Sequence, residues 1–310
     1  MTQAGPAIPV TLVTDRYADG GPALRVAVVT DGRPVEGGPA RPVIVVSDGR
    51  PTQGNEPVPI VVAPGARGAR PLGGPALPIV IVSGSLALLS GLISYWKLEE
   101  ASGTRADAVV ASANDLTDNN TVTQNPGKVG NAAQFTAANS ESLSRASNAS
   151  LQSGDIDFTI AAWVYLDSKS ARRPFVSKFN AAGQREYLLE YFNSSDRFRF
   201  VVSNDGSASV ALVANTAGSP ATATWYFVVG WHDSVNNTLN VQVNDGPVDS
   251  VAHSAGVFVG TETFRIGSGA GFFMDGRVDE VGFWKKVLST AERSALYNGG
   301  NGRTYPFAGT

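Results

Sequence analysis

The residues that could do chemistry in this 310-residue chain are few: two histidines, no cysteine, and 27 carboxylates set against 24 basic side chains. Cleaving a glycosidic bond needs two carboxylates facing one cleft. No strand-like run here sets two glutamates to face one cleft. Asp155 and Asp157 stand in Gly154-Asp155-Ile156-Asp157-Phe158 without a glutamate. Asp279 and Glu280 are adjacent, so a regular strand would send them to opposite faces. All four are expected in structural or turn roles. His232 follows Trp231 at a strand end, and His253 sits beside Ser254 in Val251-Ala252-His253-Ser254-Ala255. Neighbours on a strand point apart, and there is no Gly-x-Ser-x-Gly elbow. Both histidines are expected to be ordinary surface or strand residues. Gly267-Ser268-Gly269-Ala270-Gly271 lacks the Lys-Ser/Thr of a phosphate loop and reads as a loop before a strand. The sequence therefore assigns no catalytic, cofactor-binding or metal residue, and no enzymatic activity is expected.

Binding chemistry remains. Asp107, Asn114, Asp118 and Asn119 offer the oxygen ligands that calcium takes. Asp and Asn are also the usual turn formers, so a turn role is expected for them, with a structural calcium as the alternative. Sugars stack on exposed aromatic rings. Phe272-Phe273 beside Met274, in a Gly-flanked segment, and Tyr191-Phe192 are the candidate patches, against the alternative that such pairs are half core.

The elements that would position these residues fall into two regions. Residues 1–90 hold 13 of the 18 prolines, one aromatic (Tyr17), no lysine, seven arginines and six acids. Residues 91–310 hold the other 26 aromatics, with 17 basic and 21 acidic residues. A shift this sharp predicts a boundary near Ser90-Gly91. Near-neutral charge excludes the basic face of a nucleic-acid protein, and the lack of cysteine excludes disulfides and thiolate chemistry. The N-terminus lacks a basic region followed by an apolar core, so no signal peptide is expected. The Asn-x-Ser/Thr matches at Asn119, Asn148, Asn193 and Asn237 accordingly read as chance. The uncharged run 79–96 is barely long enough to span a membrane and is broken by Gly84, Gly91 and four serines, which predicts strand, linker and strand.

The first region is a repeat. Pro9-Val10-Thr11-Leu12-Val13-Thr14 recurs at Arg25, Pro42, Pro59 and Pro78, with spacings of 16, 17, 17 and 19. Gly-Pro-Ala precedes four copies, at Gly5, Gly21, Gly38 and Gly74. Each unit reads as one short β-branched strand between Pro/Gly turns. Strands such as Val43-Ile44-Val45-Val46 are apolar on both faces and need burial on both. With almost no large side chains of its own, this arm is expected to complete its core with its own copies, another protein or the second region.

The second region predicts short strands at Leu92–Leu98, Phe158–Leu166, Tyr187–Phe192, Phe198–Ser203, Trp225–Trp231, Leu239–Val243, Phe264–Gly267 and Val278–Trp284. Asn236-Asn237 and Asn244-Asp245-Gly246 are hairpin turns. One helix starts at Ser289, where Ser289 and Glu292 form a capping box, and stops at Asn298-Gly299-Gly300. The fold class is all-β: an antiparallel jelly-roll sandwich preceded by an extended Pro/Gly-rich arm of five short strands.

Particular residues carry a resemblance. Gly91-Leu92-Ile93-Ser94-Tyr95-Trp96-Lys97-Leu98-Glu99-Glu100 with Ser102-Gly103-Thr104 resembles the opening of a laminin-G-like, concanavalin-A-like jelly roll. Gly130-Asn131-Ala132-Ala133-Gln134-Phe135 and Phe158-Thr159-Ile160-Ala161-Ala162-Trp163-Val164 resemble its middle strands. Gly276 to Trp284, Leu288-Ser289, Glu292 and Leu296-Tyr297-Asn298-Gly299-Gly300 resemble its closing strand and helix. In family order these cover residues 91–305. The resemblance implies two packed sheets, a carbohydrate- or protein-binding role and, in some members, a rim calcium. The repeats of residues 1–90 resemble strand repeats beside such jelly rolls in tailed-bacteriophage structural proteins. That implies a non-enzymatic virion surface protein, a capsid decoration or tail appendage made in the host cytoplasm. Its arm would bind capsid or tail proteins and form a homo-oligomer, with a trimer expected, and its head would project toward host surface glycans; no nucleic-acid or membrane partner is expected. A bacterial adhesin or polysaccharide-binding module is the alternative, and a glycoside hydrolase the remotest reading.

Overall fold

The computed structural model describes Leu12–Val13, Ala27–Val28 and residues 87–111, 113–180 and 183–307. The chain divides into two units, Met1–Ser83 and Gly84–Thr310. In the first, β1 (Leu12–Val13) pairs antiparallel with β2 (Ala27–Val28), Leu12 opposite Val28. These pieces belong to the first two copies of the repeat. The copies beginning at Pro42, Pro59 and Pro78, and with them most of the five-strand arm, lie outside the described residues.

The second unit is a sandwich of two antiparallel sheets. One has the order β12 (Val210–Val213), β11 (Arg197–Val202), β10 (Tyr187–Phe192), β9 (Arg173–Lys178), β16 (Phe264–Ile266), β7 (Ser142–Arg145), β4 (Thr117–Asn119). The other runs β15 (Val248–Ala252), β14 (Thr238–Val243), β13 (Trp225–Asp233), β8 (Phe158–Leu166), β19 (Gly276–Trp284), β6 (Asn131–Phe135), β5 (Thr123–Pro126). β3 (Leu92–Trp96) pairs with the far end of β19. A small hairpin, β17 (Ser268–Gly269) and β18 (Phe272–Phe273), belongs to neither ladder but packs on β9, where Ser177 Oγ donates to the Ser268 carbonyl at 2.6 Å.

Strand alternation builds the core. In β8, Phe158, Ile160, Ala162, Val164 and Leu166 point between the sheets, where they meet Phe175, Tyr187, Phe198 and Phe200 of the opposite sheet. The alternate residues, Ala161 and Trp163, face outward. The sheets come close enough at β13 that a Cβ on Gly230 would sit 2.6 Å from the Phe200 ring. Pro174 lies inside β9, an interior strand, although proline cannot donate to a ladder. It sits beside a bulge in its own strand: Leu189 pairs with Val176 and Glu190 with Pro174, which leaves Phe175 as the extra residue.

Each of the eight strands predicted in the second region is present, most with ends shifted by a residue or two. The hairpin turns place Asn237 and Asn244 at positive φ, 54° and 55°. Helix α1 (Thr290–Tyr297) begins with the predicted Ser289–Glu292 capping box and ends on Asn298 in the left-handed conformation. The sandwich unit begins before the composition shift. Leu88 is buried, its carbonyl accepts from Trp284 Nε1 at 2.8 Å, and that of Ala87 accepts from Lys286 Nζ at 2.7 Å. No helix among the described residues is long and apolar enough to cross a membrane.

The two outer faces differ. Behind β8, β13 and β19, Tyr95, Trp163, Phe227, Trp231 and Trp284 form a second apolar layer. Helix α1 and the last described residues cover it with Leu288, Leu296 and Phe307. The outer face of the seven-stranded sheet carries a smaller cover, a buried cluster of Phe179, Leu188 and Val201 with Ala270 of the hairpin packed on it.

Candidate functional site

The less covered, open face is built from β9, β10 and β11. Alternation turns Tyr187, Leu189 and Tyr191 into the core, which leaves Leu188, Glu190 and Phe192 outside. On β11 the same rule leaves Arg197, Arg199 and Val201 outside. Glu190 is buried at the centre. Arg172 reaches it from the start of β9, with Nε 2.9 Å from Oε2 and Nη2 3.0 Å from Oε1. Arg199 reaches it from β11, with Nε and Nη2 each 2.6 Å from Oε1. The guanidinium of Arg199 lies 3.5 Å over the Phe192 ring, and that of Arg172 lies 4.9 Å over Phe272. Burial holds the pKa of Arg199 below the usual arginine range, with Glu190 pulling it back up.

Two shallow clefts open on this face. One, of about 190 Å³, is lined by Arg172, Arg185, Arg199, Asn180, Phe179 and Ser209 among others. The second, of about 160 Å³, is lined by Phe272, Phe273, Arg265, Ser142, Ser268 and again Asn180. Neither lining contains a carboxylate. Guanidiniums flanking an exposed ring offer what a sugar uses: an apolar surface for its ring and donors for its hydroxyls.

The 267–271 segment is not the plain loop read from the sequence. It forms the turn of the β17–β18 hairpin, with Ala270 and Gly271 both at positive φ, the conformation of a two-residue primed turn. This turn presents Phe272 at 38% exposure, while Phe273 is half-buried and Met274 is fully in the core. The other candidate pair also divides: Phe192 is on the open face, and Tyr191 is in the core with its hydroxyl donating to Asp196 Oδ1 at 2.8 Å.

The calcium candidates spend their oxygens on the backbone. Asp107 Oδ1 accepts from Tyr95 N and Val109 N, and its Oδ2 from Asn114 N. Asp118 accepts from Gly103 N and Val122 N. Asn114 and Asn119 donate their amides to neighbouring hydroxyls and carbonyls. Among the described residues no group of three or more acidic or histidine side chains could hold a metal ion.

The histidines are not surface residues. Both are buried and their rings meet edge to face, 5.6 Å apart. His232 Nδ1 pairs with the Ile156 carbonyl and His253 Nε2 with that of Gly256. Asp279 and Glu280 also depart from the strand rule. A bulge lies between Asp279 and Gly282, Glu280 has φ 48°, and both carboxyls are buried. Inward-facing Val278 and Val281 are three positions apart, so the alternation that would have sent the carboxyls to opposite faces is interrupted here. Burial pushes Asp279 up to about 8, against the pull of the Val129 and Lys128 amides, which donate to its Oδ2 at 2.9 and 2.7 Å. Burial pushes Glu280 up to about 7, partly offset by the Tyr95 and Thr304 hydroxyls. Asp155 and Asp157 do not pair as acid and base. The Asp157 carboxylate holds Ser234 N and Oγ, and Asp155 packs against Gly256.

The sequence reading missed the arginines. Their signal was the alternation Arg197-Phe198-Arg199-Phe200, which sets two cations on the face opposite two core rings.

Comparison with known proteins bears on fold and family. The family model described as the concanavalin A-like lectin/glucanases superfamily, Laminin_G_3, matches residues 131–292. No curated protein matches the sequence. Among solved structures, the binding domain of Paraclostridial Mosquitocidal Protein 1 is similar with a TM-score of 0.55 at 14% identity, over 68% of this chain and 53% of that one. The botulinum neurotoxin serotype D ligand binding domain, solved with N-acetylneuraminic acid, gives 0.52 at 12% identity, over 70% and 53%. Domain 4 of AbnA, a GH43 extracellular arabinanase from Geobacillus stearothermophilus solved with arabinotriose, gives 0.50 at 15% identity, over 66% and 96%. The chain thus spans about half the length of the two toxin domains. These likenesses establish the shared sandwich.

Proposed function

The chain belongs to the concanavalin A-like lectin/glucanases superfamily, and we propose that its sandwich is a non-enzymatic carbohydrate-binding module that engages sugars through the open face of the seven-stranded sheet. The observation that carries this reading is the exposed Phe272 ring, flanked by Arg172 and beside two clefts whose linings hold guanidinium, amide and hydroxyl donors and no carboxylate. A hydrolase would need two carboxylates at the sugar. Asp279 and Glu280, whose raised pKa values would suit an acid, line neither cleft. Two sandwiches of the same fold, the arabinanase domain and the neurotoxin D domain, were each solved with a sugar.

The setting we propose is the surface of a phage virion. Residues 1–90 would anchor the chain to capsid or tail proteins and assemble it as a homo-oligomer, a trimer. Its support is the sequence: five copies of a two-faced apolar strand that need partners. A glycan array probed with the full chain and with Phe272→Ala tests the binding reading. Saccharide binding that Phe272→Ala weakens about tenfold, without release of shorter products, is expected for a ring-stacking contact. A blank array, or turnover, would contradict it. Detection of the chain in purified virions, and a defined oligomer by light scattering that is lost when residues 1–83 are removed, test the setting.

A further inference from the structure

We propose that the cleft between Arg172, Arg185 and Arg199 selects acidic sugars, holding the carboxylate of a uronic- or sialic-type residue whose neighbouring ring lies on Phe272. This deepens the carbohydrate reading and rests on it.

The charge count is local and unusual for this chain. Residues 91–310 carry 17 basic and 21 acidic side chains, yet this cleft is lined by three arginines and no acid. The one carboxylate beneath it, Glu190, is shared by Arg172 and Arg199. One negative charge against two leaves an excess positive charge, and Arg185 adds a second. Arg185 is not neutralised: its Nη1 donates to the Ser207 carbonyl, and its Nε is buried without a partner. A buried donor left unpaired is costly, and an incoming acceptor relieves that cost. The Phe179 ring, with the guanidinium of Arg185 5.5 Å from its centroid, contributes an apolar wall. Hydroxyl-bearing Ser209 and the Asn180 side chain complete a lining suited to the rest of a sugar ring.

A carboxylate fits this set because guanidinium forks bind planar carboxylates through paired hydrogen bonds. Arg172 already does so with Glu190. At about 190 Å³ the cleft holds one small anionic group with its ring, not a polyanion backbone. Asn180 lines both this cleft and the one under Phe272, so an acidic residue here has a neighbouring residue on the ring.

Titration calorimetry of the full chain with trigalacturonate and with its methyl ester, at low and high salt, tests the inference. The ester keeps the ring and removes the charge. The acid is expected to bind about tenfold more tightly than the ester at low salt, the scale of a charge-assisted hydrogen bond, with the gap closing at high salt. Arg185→Gln should remove most of that gap. Equal binding of acid and ester, or equal losses for both in Arg185→Gln, would overturn the inference while leaving carbohydrate binding standing. Binding of neither also overturns it, and the broader reading falls too if the glycan array is blank. The ester and salt arms need no variant, so a folding defect in Arg185→Gln cannot mask the result.

Discussion

The two outer faces of the sandwich are made from the same kind of strand and end differently. Behind the eight-stranded sheet the outward positions are Trp163, Phe227, Trp231 and Trp284, and a helix lies on them. Behind the seven-stranded sheet they are Leu188, Glu190, Phe192, Arg197 and Arg199, with only the small β17–β18 hairpin packed there to present Phe272. The first face resembles an interior: Arg293 of the helix stacks 4.3 Å from Trp231, and Trp284 donates to a buried carbonyl. The second keeps its cations half-exposed over aromatic rings and holds its one acid below them. The lesson is that a β-sandwich uses one outer face for stability and can leave the other for binding. Substitutions on the two faces should therefore separate folding from recognition.

The largest effect should come from the covered face. Trp284→Ala removes a fully buried ring that meets Tyr95 edge to face, and should cost about 3–5 kcal/mol in denaturant unfolding, with sugar affinity of the folded fraction unchanged. A loss of binding at equal stability would break the division. On the open face, Glu190→Gln removes the shared negative charge and should cost about 2 kcal/mol, because two half-buried guanidiniums then face a neutral amide. The same change should tighten binding of an acidic sugar, read by calorimetry against the wild-type chain.

The pH dependence sharpens the contrast, because the carboxyls near the two faces shift in opposite directions. Asp279 and Glu280 are raised to about 8 and about 7 from ordinary values of 3.8 and 4.5, so the folded state holds their protons more tightly than the unfolded chain. That stabilisation is complete below about pH 4 and is lost as pH rises through the folded values, with a slope of up to about 1.4 kcal/mol per pH unit for each group. Asp196, on the β10–β11 turn, is held below the usual range by the Lys169, Ser219 and Tyr191 side chains, and its contribution is lost instead as pH falls through the acidic range. Melting temperature should therefore peak on the acid side of neutrality. Asp279→Asn should flatten the decline toward pH 8; an unchanged decline would show that the slope comes from elsewhere. The smallest stability effect belongs to Phe272→Ala, expected within about 0.5 kcal/mol of wild type because the ring is exposed.

The sequence made the apolar strands legible. Phe158–Leu166 and Tyr187–Phe192 were read with their observed ends, because alternation of large apolar residues is a strong local signal. Ser289 and Glu292 placed the helix for an equally local reason, a reciprocal pair of hydrogen bonds. Thr117–Asn119, Thr123–Pro126 and Ser142–Arg145 were not legible, since their polar residues form strands only by pairing with distant neighbours. Arg173–Lys178 was hidden by Pro174, which sits beside a bulge in its own strand. For the candidate site, Phe272 and Phe192 were legible as paired aromatics. The arginines were not, because Arg172, Arg185 and Arg199 stand on separate segments and only strand pairing brings them together. The meeting of the two histidine rings was not legible for the same reason: 21 positions apart in sequence, they become neighbours across a hairpin where the Asn237 carbonyl accepts from the His253 amide.

The central claim is that the open face, and not the covered one, is the binding surface. Hydrogen–deuterium exchange of the full chain with and without a saturating acidic oligosaccharide tests it most directly. The account predicts new protection in β9 to β11 and in the 268–273 hairpin, with no change in helix α1 or in the residues from Arg303 to Phe307. Protection confined to the helix and the C-terminal segment, with the arginine face unaffected, would contradict it.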